Sequence, residues 1–246
     1  MIDTKKLFDF LKRKKIDFFT GVPDSTLKPL IQFIENDDSI QHFPAYNEGG
    51  AVSLGIGYHL ATKKIACIYL QNSGLSNAIN PLISIAHKKV YSIPSLLIIG
   101  WRGSPHGKTD EPQHNVKGKI TKKILGLLDI KNVVLRKNTD FNKISKLIKF
   151  AKKNNQTVAC LIENNTLLKT KFSNKVKDFN FEITREVFIK KLLKKINKDT
   201  KIISTTGYSS REIFQIRKNF NLKKGKDFYM VGGMGHAGMV SLGVSL

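Results

Sequence analysis

The stretch 48–100, EGGAVSLGIGYHLATKKIACIYLQNSGLSNAINPLISIAHKKVYSIPSLLIIG, decides the fold of this chain. Its first fifteen residues have helical spacing and enough glycine and alanine for close packing. KKIACIYLQN (63–72) is a short apolar run and reads as a buried strand. SGLSNAINPLISIAHKK (73–89) returns to helical spacing, and YSIPSLLIIG (91–100) is a second buried strand. Continuously apolar strands joined by helices imply a parallel sheet covered on both faces, an α/β fold.

The alternation extends in both directions. Toward the N-terminus, 4–15 sets Leu7, Phe8 and Leu11 on one helical face, and IDFFTG (16–21) is a short strand. STLKPLIQFIEN (25–36) is then a helix and HFPAYN (42–47) a short extended piece. Toward the C-terminus, a long polar loop, WRGSPHGKTDEPQHN (101–115), precedes helix ITKKILGLLD (120–129) and strand NVVLR (132–136). Helix FNKISKLIKFAKKN (141–154) and strand TVACLIE (157–163) complete a first domain expected over 1–165. Polar, lysine-rich and aperiodic sequence predicts a linker over 166–182. A second alternation over 183–246 holds ITREVFIKKLLKKI, TKIISTTG, SSREIFQIRKNF, DFYMVGG and GHAGMVSLGVSL. Ser209 and Glu212 there have capping-box spacing. About two strands are too few to bury a parallel sheet, so this part is expected to be the start of an incomplete second α/β domain.

With 246 residues, 41% of them hydrophobic, the chain has apolar content for one large domain or two smaller ones, which excludes disorder as its main state. The formal charge of +23 first suggests nucleic acid or an anionic membrane. Its distribution argues otherwise. The first 100 residues carry only +3, and the excess downstream is largely single or paired lysines at helical spacing, such as Lys143, Lys146, Lys149, Lys152 and Lys153. That is the pattern of a solvated helix face. Lysines outnumber arginines 36 to 6, without the aromatic and arginine cluster of a base-reading surface, so no specific nucleic-acid partner is expected. Cys67 and Cys160 lie in apolar runs and read as buried free thiols, and no CxxC or Cys/His cluster has metal spacing. No window of 18 apolar residues exists, so a soluble cytoplasmic protein without a membrane partner is expected.

Four constellations could carry chemistry. Glu48 is the one formally charged residue between Gln41 and Thr62, and it starts a helix of small residues. An isolated carboxylate in apolar surroundings implies a shifted pKa or a specific polar partner, whereas a first-turn acid favoured by the helix dipole is the plainer reading. GGMGHAG (232–238) contains a GxGxxG at Gly233, Gly235 and Gly238. A dinucleotide site needs an acidic residue about 20 positions further on, whereas a glycine turn against another cofactor, or a turn with no ligand, needs none. The loop 102–115 offers His106, Lys108, Asp110, Glu111 and His114 after a buried strand, where ligands of parallel sheets bind. GVPDS (21–25) is a strand-to-helix turn on the same edge, and Asp24 or Ser25 is most simply its N-cap.

Taken in order, GVPDS, NEGGAVSLGIGYHLAT, YLQNSGLSNAINPL, LLIIGWRGSP, DEPQH, STTGYSSREIF and GGMGHA resemble the phosphonopyruvate decarboxylase family. These are thiamine-diphosphate-dependent enzymes similar to the sulfopyruvate decarboxylases. The resemblance implies one α/β domain for the aminopyrimidine of the cofactor and one for its diphosphate, in a homo-oligomer with active sites between subunits. It implies decarboxylation of 3-phosphonopyruvate to phosphonoacetaldehyde and CO2, with sulfopyruvate as the alternative 2-oxo acid substrate. Glu48 is then the catalytic carboxylate on the aminopyrimidine ring nitrogen. Gly232 and Met234 support the bent cofactor, and Thr206, Gly207 and Ser209 form the first diphosphate-side turn. Asp24 and His114 are candidates for proton transfer, and Ser25, Arg102, Asp110 and Glu111 for binding the substrate's anionic ends. The family's Mg²⁺ ligands, a GDG motif and a later Asn, are expected beyond Leu246. On that expectation this chain alone binds cofactor poorly, or is a non-catalytic part that needs a partner supplying the diphosphate and metal site.

Overall fold

In a computed structural model, residues 1–107, 110–136, 141–170, 172, 181–197, 199–222, 227–233 and 235–246 are described. Two compact units emerge, Met1–Phe172 and Ser173–Leu246. The first contains α1 (Thr4–Arg13), β1 (Phe18–Gly21), α2 (Lys28–Glu35), β2 (Gln41–Pro44), α3 (Glu48–Thr62) and β3 (Ala66–Gln71). It continues through α4 (Leu75–Pro81), β4 (Ser95–Trp101), α5 (Pro112–Leu127), β5 (Lys131–Leu135), α6 (Phe141–Asn154) and β6 (Val158–Glu163). The strands form one parallel sheet in the order β2-β1-β3-β4-β6-β5.

Burial explains the apolar runs. All seven residues of β4 are buried, as are five of six in each of β3 and β6, its two neighbours. One face packs Leu7, Leu11, Leu30, Ile144 and Ile148 from α1, α2 and α6 against the sheet. The other packs Ala51, Val52, Ile56, Leu75, Ala78 and Leu125 from α3, α4 and α5. The small residues of α3 serve that contact: a Cβ on Gly55 would lie 2.9 Å from Ile68. Cys67 and Cys160 are fully buried, and burial pushes the Cys160 thiol up to about 12. The α6 lysines are exposed, as a solvated face requires. Among the described residues no helix is long and apolar enough to cross a membrane.

Several boundaries differ from the sequence expectation, each for a local reason. The 25–36 helix starts at Lys28, because the Asp24 carboxylate accepts from the amides of Thr26 and Leu27 and holds 24–27 as a turn. Leu27, not Asp24 or Ser25, is the N-cap residue. The helix expected from residue 120 begins at Pro112, a residue pre-set for the first turn, so the last four residues of the polar loop are helical. Buried polar and small residues, His114, Gly118 and Thr121, hide its hydrophobic period. Part of the linker belongs to the first unit: Ile2 donates to the Thr166 carbonyl at 2.7 Å, and Leu168 donates to the Ile2 carbonyl at 2.8 Å. Residues 171 and 173–180 lie outside the described residues.

The second unit holds α7 (Arg185–Lys195), β7 (Ile203–Ser204), α8 (Tyr208–Asn219), β8 (Phe228–Tyr229) and α9 (Ala237–Ser245). Strands β7 and β8 pair in parallel, and Ile189, Leu193, Ile213 and Ile216 make a small core. The capping box at Ser209 and Glu212 does not form. Gly207 is the N-cap of α8, Ser209 lies inside the helix, and Glu212 instead takes a bidentate ion pair from Arg185 at 2.6 Å.

Two glycines of α5 allow a test of the packing. A Cβ on Gly118 would come within 1.7 Å of the Gly103 carbonyl oxygen, while one on Gly126 would meet nothing within 4 Å. Gly118→Ala should therefore lower stability by about 1–3 kcal/mol through overpacking. Gly126→Ala should be neutral or raise it by up to about 1 kcal/mol through helix propensity. Urea unfolding midpoints of the two variants check this contrast, which equal shifts would refute.

Candidate active site

All six strands of the first unit run in parallel, so their carboxyl ends share one edge, and ligands of open parallel sheets bind outside that edge. The turns after β1, β3 and β4, with the start of α3 after β2, bring the candidate side chains there.

Glu48 opens α3. Asn47 caps that helix by accepting from the Gly50 amide at 2.7 Å, which places Glu48 at its first position, where the dipole favours a negative charge. A merely solvated first-turn acid would be exposed; Glu48 is 3% exposed. Its Oε2 accepts from Asn77 Nδ2 at 2.9 Å. Its Oε1 fills a space that only glycine at position 74 leaves open, since a Cβ there would lie 1.8 Å from that oxygen. Burying a carboxylate against an amide rather than a cation carries a desolvation cost that folding alone gives no reason to retain.

A second group lies around the turns after β1 and β4. Asp24, 6% exposed, accepts from the Thr26 and Leu27 amides on Oδ2 and from Gln71 Nε2 on Oδ1 at 2.6 Å. Burial raises its pKa, against the pull of those donors. Gln71 Oε1 accepts in turn from Ser73 Oγ at 2.5 Å, and Ser73 Oγ stands 3.5 Å from His114 Nδ1. His114 is buried in the first turn of α5, and burial, reinforced by the Arg102 charge, holds its pKa below the ordinary value of 6.5. Arg102 and Asp110 form a bidentate pair at 2.7 and 2.6 Å, and Asp110 also accepts from the amides of Gly103 and Glu111. The Arg102 guanidinium keeps the Asp110 carboxyl well below the usual carboxylate range.

Five residues of the segment 71–77 tie these groups together, and sequence reading singled out none of them individually. Gln71 holds Asp24; Asn72 bonds the backbone of Arg102 on both sides and the Thr121 hydroxyl; Ser73 faces His114; Gly74 and Asn77 seat Glu48. Lys117, also missed, donates to the Ser73 carbonyl at 3.3 Å. A visible signal was the run QNSGLSN, polar and small residues placed where an apolar strand meets a helix. Ser25 and Glu111 are exposed, and Glu111 accepts from Gln113. His106 is exposed, and Lys108 lies outside the described residues.

In the second unit, pairing of Ser204 with Tyr229 sets the turns after β7 and β8 side by side. The first carries Thr206 and Gly207, with Gly207 at φ 82° and no side-chain cap on the amides that start α8. Ser209 is half-buried, in the first turn. The second carries Gly232, followed by Gly233 and Gly235 at φ 72° and 83°, left-handed conformations that suit glycine. Met234 lies outside the described residues. Among the described residues no group of three His, Cys, Asp or Glu side chains could hold a metal ion.

Residues 4–122 match the family model described as thiamine pyrophosphate enzyme, N-terminal TPP binding domain. The chain is 32% identical to phosphonopyruvate decarboxylase of Streptomyces viridochromogenes over 242 residues, 92% of this chain and 59% of that protein. It therefore spans about three fifths of the length of that relative. Sulfopyruvate decarboxylase subunit alpha of Methanocaldococcus jannaschii is 38% identical over 145 residues, 59% of this chain and 81% of that one. Among solved structures, the thiamine diphosphate-dependent 4-hydroxybenzoylformate decarboxylase of Rhodococcus jostii RHA1 superposes with a TM-score of 0.52 at 14% identity, over 78% of this chain and 37% of that one. At that identity the superposition speaks for the fold alone.

The geometry around His114 and Asp110 sets a pH response. Both groups bind protons less readily in the folded chain than in the unfolded one, so the unfolded state takes up more protons as pH falls and stability declines. The His114 contribution should fade as pH drops below about 6.5, and that of Asp110 only below about 4. An imidazole NMR titration should give His114 a midpoint below 6.5; a midpoint at or above that value would contradict the burial argument.

Proposed function

Because the chain belongs to the thiamine pyrophosphate enzyme family, in the branch of the phosphonopyruvate and sulfopyruvate decarboxylases, we propose that it serves the decarboxylation of 3-phosphonopyruvate to phosphonoacetaldehyde and CO2. The observation that carries this reading is the buried Glu48 carboxylate, seated between Asn77 and the bare backbone of Gly74.

That seat fits an aminopyrimidine. A ring nitrogen needs a group that accepts or returns one proton at a fixed place with water excluded, and a carboxylate whose space a Cβ at Gly74 would fill meets the requirement. The diphosphate end suits the uncapped start of α8, with Thr206, Gly207 and Ser209, and Gly232 and Met234 are assigned to the cofactor's support. Mg²⁺ is proposed as its counter-ion, since adjacent phosphates are held best by a divalent cation. When bound, thiamine diphosphate supplies the electron sink for the pair released as a 2-oxo acid loses CO2.

The chain's own groups divide the remaining work. Glu48 holds and returns the proton at the pyrimidine nitrogen. Asp110 fixes the Arg102 guanidinium through Nε and Nη2, so that Arg102 presents a planar cation to an anionic end of the substrate. Asp24, whose proton affinity burial increases, and His114, neutral at pH 7, are assigned the substrate-side proton transfers. Ser25 and Glu111 stay as substrate-binding candidates on the rim. The working assembly is proposed as a cytoplasmic homo-oligomer with active sites between subunits.

Phosphonopyruvate is preferred over sulfopyruvate because the phosphonopyruvate relative aligns over both units, while the sulfopyruvate subunit alpha aligns over 59% of this chain. The higher identity of that subunit favours a second reading, a chain completed by a partner subunit. Turnover separates them. With thiamine diphosphate and Mg²⁺ present, kcat/KM should be higher for 3-phosphonopyruvate; a preference for sulfopyruvate, or activity only with an added subunit, would replace the first reading by the second.

Glu48→Gln keeps an acceptor for Asn77 but cannot exchange the proton. It should lower kcat by about 10²–10⁴-fold while leaving the thermal midpoint nearly unchanged. Gly74→Ala should displace the carboxylate and lower kcat with Glu48 intact, so wild-type turnover in either variant would remove Glu48 from the mechanism.

A further inference from the structure

Gln71, the last residue of β3, has no role in the reaction as described so far, yet its side chain is oriented from both ends. Nε2 donates to Asp24 Oδ1 at 2.6 Å and Oε1 accepts from Ser73 Oγ at 2.5 Å. Turning the amide over would set its oxygen against a carboxylate oxygen, so the arrangement has one sense.

Asp24 depends on that amide. Its Oδ2 is enclosed by the Thr26 and Leu27 amides and by β4, where a Cβ on Gly100 would lie 2.1 Å away. Oδ1 accepts from Gln71, which does more than any other hydrogen-bond donor to favour the ionised form of Asp24. Arg102, with Asp110 on its other side, acts on Asp24 through its charge, and Glu111, His114 and Lys117, from the loop after β4 and from α5, interact with that pair or with one another. None of them forms a hydrogen bond or ion pair with Asp24 among the described residues. At its far end Gln71 reaches His114 through the Ser73 hydroxyl, at 3.5 Å.

We propose that Gln71 is a positioning residue, whose amide fixes the orientation and the proton affinity of Asp24 and links it through Ser73 to His114. Its catalytic meaning rests on the substrate-side role proposed for Asp24. Its structural content does not.

A donor to a carboxylate favours the ionised form, so removing it should make Asp24 hold its proton more tightly. In Gln71→Leu, the Asp24 carboxyl, followed by ¹³C NMR in aspartate-labelled protein and assigned with Asp24→Asn, should bind protons about tenfold more tightly. Its midpoint should rise by about one pH unit. The acidic limb of the kcat/KM profile on 3-phosphonopyruvate should move up with it, while KM changes little. Gln71→Glu covers the case in which the leucine variant does not fold: two adjoining carboxyls would titrate as a coupled pair, with one midpoint well above the other. An Asp24 midpoint unmoved in the leucine variant, or two independent ordinary titrations in the glutamate variant, would overturn the proposal. Turnover by the wild-type protein is read separately, so its absence would count against the substrate while the carboxyl titration still decides the role of Gln71.

Discussion

Burial of the parallel sheet on both faces is the constraint from which the site follows. Central strands buried along nearly their whole length leave little room for polar side chains, so chemistry is concentrated at their ends. Parallel pairing then puts the carboxyl ends of all six strands on one edge. Strand β3 lies between β1 and β4, and the segment that leaves it is flanked by the turns of both and by the start of α3. That position lets five residues of the segment 71–77 touch Asp24, Arg102, His114 and Glu48.

The electrostatics of this edge is a balance of burial against hydrogen bonds, with a different winner at Asp110 and at Asp24. At Asp110 the guanidinium of Arg102 wins and the acid stays ionised. At Asp24 the uncharged donors of Gln71, Thr26 and Leu27 do not outweigh burial, and proton affinity rises. Glu48 has an amide and the start of a helix in place of a cation. Asp24 and Asp110 thus differ in proton affinity although both lie at the same sheet edge, because one is held by uncharged donors and the other by a cation.

Much of this was legible in one dimension. The apolar runs that became β3, β4 and β6 fixed the fold class, because only strands covered on both faces can be apolar throughout. The isolation of Glu48 marked it before any neighbour was known. Other features were misread. The start of α5 looked like loop because its inward face carries His114, Gly118 and Thr121, polar or small residues that pack against Gly103 and Asn72 rather than against hydrocarbon. The capping box at Ser209 failed because Glu212 found a stronger partner in Arg185, 27 residues away.

The amino-acid sequence by itself determined the parallel α/β architecture, the family and the identity of the lone carboxylate, since periodicity, glycine spacing and local charge are properties of neighbours along the chain. Only the tertiary structure decided which groups share a site. Gln71 meets Asp24 across 47 positions, Ser73 approaches His114 across 41, and Asn77 holds Glu48 across 29. These contacts exist because strand order brings distant turns together, and strand order is set by how the helices cover the sheet, which no local pattern records.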